Sequence, residues 1–510
     1  MIAVSRRTLC QALGISVAGA PAWLRSASVL AADMDKVTIG WPTDVPSWDP
    51  EQRTVPDTQP IYKMVFDQPL DQAPDLKIIP KLVKTWKLAP DALSLSLDFR
   101  DDVKFDDGTP MTSADFKYSF FDRVKAGHKI DVAQIWGFVT DVDTPSPTQA
   151  VMHFKLPFAT SAIWLAFLCS YVVPKAYVEK VGEEGFGKAP IGTGPYKLVD
   201  YEINSRAVLE RNDAYWGPKP KMKTVIFQII KDPSARVAAI QSGQADLVLN
   251  VPVREAERFK TDANFKSEID PIERVIVIQT RGDLGFADKN VRLAAHHAID
   301  KAALSKAFYG GAAVPLSVVA PPDTPGYVPD YTFAYDPELS KKLLAESGFS
   351  TSKPAKIKFA TTNGQFPSDY DIARAVAQMW KKVGIDADIE IVEYAKYFEL
   401  NRGNKLPEAT LYSWDNATGD PEMFTGYLLN PNLPFSAWKE KEIGEEVAAL
   451  FAIADYDKRI AAYKEINKKA VEYGAIMPLL QSVITIVSKK DVTFEHYHNG
   501  WILADTITRT

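Results

Sequence analysis

A chain of 510 residues, 46% hydrophobic and 24% charged, is globular and long enough for more than one core, because single cores rarely grow past about 250 to 300 residues. Its formal charge is −6, and without the first 31 residues, which carry Arg6, Arg7 and Arg25 and no acid, it becomes −9. So acidic a chain has little electrostatic attraction for nucleic acid, which argues against that class of partner.

Ser5, Arg6 and Arg7 precede a modestly apolar run over 13–24, with a cleavage site expected after Val29, Leu30 and Ala31. Residues 1–32 read as an export signal of twin-arginine type. Cys10 and Gln11 depart from the usual bulky-then-basic ending, so a general secretion signal is the other reading, and both lead to the periplasm. The run is shorter than the roughly 20 residues of a spanning helix, and no later segment qualifies. Cys10 leaves with the signal, and Cys169 then stands alone in the apolar run 163–173, where it reads as a small buried hydrophobe.

Over 93–121, Leu93, Leu95, Leu97 and Phe99 alternate with Ser94, Ser96, Asp98 and Arg100, the period of two of a half-buried strand. Asp101, Asp102, Asp106, Asp107 and Gly108 read as solvated turns, Thr112 and Asp115 as a capping box, and Phe116, Phe120 and Val124 as the inner face of a helix. Val275, Ile276, Val277 and Ile278 form a wholly apolar strand. Asp336 followed by Pro337 opens a helix in the order of cap then proline, with Leu339, Leu343 and Leu344 inside and Gly348 beyond its end. A strand over 357–361, a helix over 369–383 closed by Gly384, and alternation at Ala387, Ile389 and Ile391 make a βαβ unit, which requires parallel pairing. Ile460, Tyr463, Ile466, Ala470 and Tyr473 share one further helix face ahead of Gly474.

The run FRDDVKFDDGTPMTSADF resembles the signature of the large solute-binding proteins of ABC importers that serve peptides, nickel and opines, family 5. So do Ile191-Gly192-Thr193-Gly194-Pro195-Tyr196, the run 209–217 ending Tyr215-Trp216-Gly217, the run 240–246, Asn290-Val291-Arg292, the run 309–315, and Gly419-Asp420-Pro421. These segments follow the family's order over roughly 37–501. The resemblance implies an α/β, two-lobed periplasmic binding protein fold, hinged by two crossings, with an extra subdomain in lobe I. The crossings are expected near 271–280 and 479–484. Lobe I is then 33–273 plus 484–510, with its subdomain at about 56–185, and lobe II is 274–483.

The same resemblance implies a receptor that captures a small-molecule or peptide ligand by lobe closure and hands it to a membrane ABC permease, without catalysis, cofactor or resident metal; a monomer is the default for a diffusing receptor. Short peptides or a related amino-acid conjugate are the expected solutes, with opines, oligosaccharides and nickel complexes as alternatives. Peptide-binding members carry an ammonium-binding aspartate three residues before the Asp of Asp-Pro; here that position is Ala417, and Asp415 lies five residues before Asp420. Asp415 is therefore the expected ligand contact, with Trp414 and Asn416 beside it; a turn or capping aspartate is the plainer reading. Trp414 and Trp136 would stack on a ring or an apolar side chain, or else sit in the core. Arg281 would hold a carboxylate, or make a surface salt bridge. Asn363, Gly364 and Phe366 lie on the loop after a strand, where α/β folds present ligands. Trp41, Asp44 and Trp48 would reach the rim.

An exported cofactor-dependent enzyme is the competing class, suggested by the twin arginines alone. No glycine-rich phosphate loop, nucleophile elbow or HExxH helix supports it. Of the six histidines, His496 and His498 would share a strand face and could hold a metal, but two ligands without a third make a weak site.

Overall fold

The computed structural model describes residues 34–52, 56–127, 130–168, 170–434 and 436–510; the expected export signal over 1–32 and Cys169 lie outside the described residues. Ten strands form one mixed sheet. From one edge to the other they are Ile385–Ile391, Ala355–Thr361, Ala409–Asp415, Phe265–Thr280, Ile476–Lys489, Leu247–Leu249, Lys36–Trp41, Thr224–Ile229, Arg206–Arg211 and Tyr196–Glu202.

Two of these strands are far longer than the rest, Phe265–Thr280 with 16 residues and Ile476–Lys489 with 14, and they pair antiparallel along most of their length. Their register breaks between Pro271 and Val275, where proline removes a ladder donor and the sheet bends. On one side of the break the pair joins Ala409–Asp415; on the other it joins Leu247–Leu249. One large apolar core runs across the sheet, from Val37 and Leu247 to Val275, Val277 and Trp414, and two smaller ones lie beside it. Ile276, Ile278, Phe359, Ile372, Trp380 and Leu480 belong to one buried cluster, and Val237, Ile240, Val248 and Phe259 to another.

The βαβ unit forms as its periodicity predicts. Ala355–Thr361 and Ile385–Ile391 pair in parallel, and the helix between them spans Asp369–Val383, with Ile372, Val376 and Val383 buried and Gly384 ending it at φ +110°. Asp336 caps Pro337–Glu346 by accepting from the Leu339 amide at 2.8 Å. A separate four-stranded antiparallel sheet runs in the order Val83–Leu88, Ser94–Phe99, Gln149–Phe154 and Val139–Ser146. Leu95, Leu97 and Phe99 face its core, whereas Leu93 precedes the strand and is exposed. The capping box is present, with the Thr112 amide donating to Asp115 Oδ2 at 2.9 Å, and Phe116 and Phe120 are buried below it. Asp106 departs from the expected solvated turn: its Oδ2 accepts from the Gly192 amide at 3.0 Å, and burial pushes its carboxyl up to about 6.

Candidate functional site

The break in the two long strands creates the site. A regular ladder from Pro271 would alternate side chains between faces; the extra residues around 272–274 instead push Glu273 and Arg274 out of register. Arg274 lands opposite Asp415, the last residue of its strand. Its Nη2 lies 3.0 Å from Asp57 Oδ1 and 3.7 Å from Asp415 Oδ2, so one guanidinium bridges carboxylates from distant parts of the chain. Glu273 takes the neighbouring position: its carbonyl accepts from the Asn416 amide at 2.8 Å, and its side chain is buried.

Two carboxylates thus face one cation, and the Glu273 carboxyl lies near Asp415. Burial pushes Asp415 up to about 6, with Arg274 opposing and Asp57 adding to the shift. Burial pushes Glu273 up to about 8, helped by the charge of Asp415. Asp57, Arg274 and Asp415 line one cavity. Trp41, Leu249, Ile272, Phe366, Val483 and Trp501 supply its apolar walls. Gly500, at φ +79°, brings the last wall close: a Cβ there would stand 3.0 Å from Ile272 Cγ2, so only glycine lets the segment carrying Asn499 and Trp501 lie against the bent strand. Two polar atoms of this wall are buried without a hydrogen-bond partner, Asp415 Oδ1 and Asn499 Nδ2. The oxygen of Asn499 is already engaged, accepting from the Trp501 amide at 3.0 Å.

Around the cavity the two halves of the molecule touch through a few polar contacts. Gln72 Nε2 donates to the Ala417 carbonyl at 2.5 Å. Glu422 Oε1 accepts from Thr160 Oγ1 at 2.8 Å and from Trp164 Nε1 at 3.2 Å, and burial pushes its carboxyl up to about 7. Asp420, of the Asp-Pro pair, is clamped by Arg459 through two bonds of 2.7 Å, which fixes the loop between Asp415 and Glu422.

Of the residues singled out from sequence, Asp415, Phe366 and Trp41 come together on the cavity wall. Asn416 is buried just behind, its amide holding Glu273. Trp414 is buried and donates its indole N–H to the Met423 carbonyl at 2.6 Å, off the wall. Trp136 is buried between Phe120 and Phe158 in the core of the small sheet and donates to Ser170 Oγ at 3.0 Å. Arg281 grips Asp283 at 2.9 and 2.5 Å and the carbonyls of Asn404 and Leu406, outside the cavity. Asn363 and Gly364 are exposed; the Gly364 amide donates to Asp369 Oδ1, and the turn they make delivers Phe366 instead. Asp44 binds Tyr201 and Trp48 packs on Tyr62 and Tyr201.

Asp57, Glu273, Arg274, Asn499 and Trp501 escaped sequence reasoning. One signal was present: Glu273 and Arg274 directly precede the apolar run 275–278, and two charges entering a fully buried strand need a purpose.

A sequence model described as bacterial extracellular solute-binding proteins, family 5 middle, matches residues 77–433. The nickel-binding periplasmic protein of Escherichia coli strain K12 is 26% identical, over 96% of this chain and 96% of its own length. The dipeptide-binding protein of the same organism is also 26% identical, over 82% and 83%. Among solved structures, the periplasmic binding protein DppA of Helicobacter pylori, in complex with the peptide STSA, superposes with a TM-score of 0.82 at 20% identity, covering 93% of this chain and 98% of that one.

Proposed function

Because the chain belongs to the bacterial extracellular solute-binding proteins of family 5, and so captures a solute for an ABC importer instead of transforming one, we propose that its solutes are short peptides or related amino-acid conjugates and that Asp415 receives their ammonium group. The observation that carries this reading is the pair of unpartnered atoms on the cavity wall. An acceptor, Asp415 Oδ1, and a donor, Asn499 Nδ2, are complementary to a ligand bringing N–H groups and a carbonyl or carboxylate, and each costs about 1 to 3 kcal/mol while unpaired. Asp57 and Asp415 against Arg274 alone leave the wall with an excess of acid that favours a cationic group.

The division into lobes belongs to the same reading. Lobe I is 33–273 plus 484–510 with a subdomain at about 56–185, and lobe II is 274–483; the register break at Pro271 to Val275 supports a hinge there. The ligand touches both lobes only when they close, so binding shifts an open population toward a closed one, and the closed form is the one the permease receives. The twin arginines support export to the periplasm through residues 1–32, and no described helix is long and apolar enough to cross a membrane. A diffusing monomer, without nucleic acid, is sufficient for this work.

Nickel chelates are the second reading, favoured by the likeness to the nickel-binding periplasmic protein; Arg274 would then hold a carboxylate of the chelator. Calorimetry with dipeptides, tripeptides, opines and nickel–histidine separates the two. Asp415→Asn is expected to weaken binding of an amino-terminal solute about ten- to hundredfold, the worth of a charged hydrogen bond. Unchanged affinity would remove Asp415 from the site.

A further inference from the structure

A second cavity adjoins the solute cleft and shares Ile272, Ile484, Gly500 and Trp501 with it. On its wall Glu268 and Asp270, two residues apart and therefore on one face of the long strand Phe265–Thr280, meet His496 from the C-terminal segment. One ligand atom from each of the three lies within 4.8 Å of the other two. His496 Nε2 stands 3.6 Å from Glu268 Oε2. That is too long for a hydrogen bond. It is close to the separation of about 3.4 Å between two ligands of a tetrahedral ion with bonds of about 2.1 Å.

Glu268 Oε2 supplies an independent sign. It is shut off from solvent and has no hydrogen-bond partner, although His496 itself is more than half exposed. The Glu268 side chain is 30% exposed, so this oxygen alone is cut off from water, and the neighbouring ammonium is occupied elsewhere: Lys266 Nζ donates to the Val492 carbonyl at 3.0 Å. We propose that Glu268, Asp270 and His496 bind one divalent transition-metal ion of the Zn²⁺ or Ni²⁺ kind, at a site separate from the solute cleft. One imidazole and two carboxylates suit a borderline ion better than Mg²⁺, and three protein ligands leave the remaining position to water. The ion would tie the bent strand to the segment that carries Asn499 and Trp501, so its occupancy would stiffen one wall of the cleft. His498 lines the same cavity but does not join the three.

The test uses the untagged full chain, freed of metal by chelation and titrated with Zn²⁺ alone and Ni²⁺ alone by calorimetry, with thermal melts alongside. One equivalent is expected, with a melting temperature that rises with ion concentration. His496→Ala and Asp270→Asn should each weaken binding by tenfold or more, while His498→Ala should leave it unchanged. His496 is exposed, so the His496→Ala chain is expected to fold and to bind its solute. No measurable binding, or binding that survives both substitutions, would overturn the proposal. So would binding that Asp415→Asn abolishes and His496→Ala does not, because the ion would then occupy the solute cleft.

Discussion

Arg123 shows how much rests on single buried charges. Its Nη2 lies 2.5 Å from Asp49 and its Nη1 2.6 Å from Glu51, and all three side chains are sealed from water. Replacing it by methionine leaves two buried acids without a counter-charge, which costs about 3 to 5 kcal/mol. Denaturant titration of Arg123→Met should show that loss, and a smaller one at pH 5 than at pH 8, because Glu51, already pushed up by burial, takes a proton first. Glu273 titrates in the physiological range. Its folded-state value of about 8 lies above the ordinary 4.5, so the folded protein holds the proton more tightly than the unfolded chain does. The stability that goes with this is complete below pH 4.5 and is lost as pH rises through 8. Glu273→Gln cannot lose it, so between pH 5 and 9 the melting temperature of the variant should fall by a few degrees less than that of the parent. An equal fall in both would mean that Glu273 is not protonated in the folded chain. None of these groups was visible as a cluster in the sequence, since Asp49 and Arg123 are 74 residues apart and Asp57 and Arg274 are 217 apart.

At the scale of elements, periodicity and caps carried most of the reading. The helix Asp369–Val383 and its parallel flanking strands appear where alternation and Gly384 put them, because those signals are local. The motif Gly192-Thr193-Gly194 is different: its glycines answer to a neighbour far away in the chain. A Cβ at Gly192 would stand 2.0 Å from the Val65 carbonyl oxygen, and at Gly194 2.5 Å from the Val65 carbonyl carbon. Gly192 also exchanges bonds with Asp106, donating to Oδ2 at 3.0 Å and accepting from its amide at 2.9 Å. Gly192→Ala should therefore destabilise the chain by about 3 kcal/mol, in the upper range for overpacking, since backbone has no rotamer to yield. A change below 1 kcal/mol by denaturant titration would mean that the two segments are not in contact. Along the chain Asp106 looks like its exposed neighbours Asp101, Asp102 and Asp107; the approach of Gly192, Lys197 and Asn212 distinguishes it.

Across the whole molecule, the proposed closure would be biased by contacts that touch no ligand. Thr160 and Trp164 on one side meet Glu422 on the other, and Gln72 meets the Ala417 carbonyl. Thr160→Val removes one donor to a buried carboxylate, and a hydrogen bond of that kind is worth about 1.5 to 3 kcal/mol. If that energy is present in the closed state alone, solute affinity should fall about tenfold or more with the cavity wall unaltered, and small-angle scattering without solute should show a larger radius of gyration than the parent. Unchanged affinity and scattering would show that this contact does not bias the lobes.

From its sequence alone the chain reveals its family, its α/β character, a few strands and helices with strong periodicity or caps, and Asp415 as a candidate, because these depend on neighbours along the chain or on motifs that keep their order. The cavity wall needed the folded molecule. Arg274 faces Asp57 and Asp415 only because two long strands slip register at Pro271, and Asn499 and Trp501 reach it only because Gly500 lets the C-terminal segment lie against that bend. Register and close backbone approach depend on which distant segments meet, and no pattern along a single chain records that.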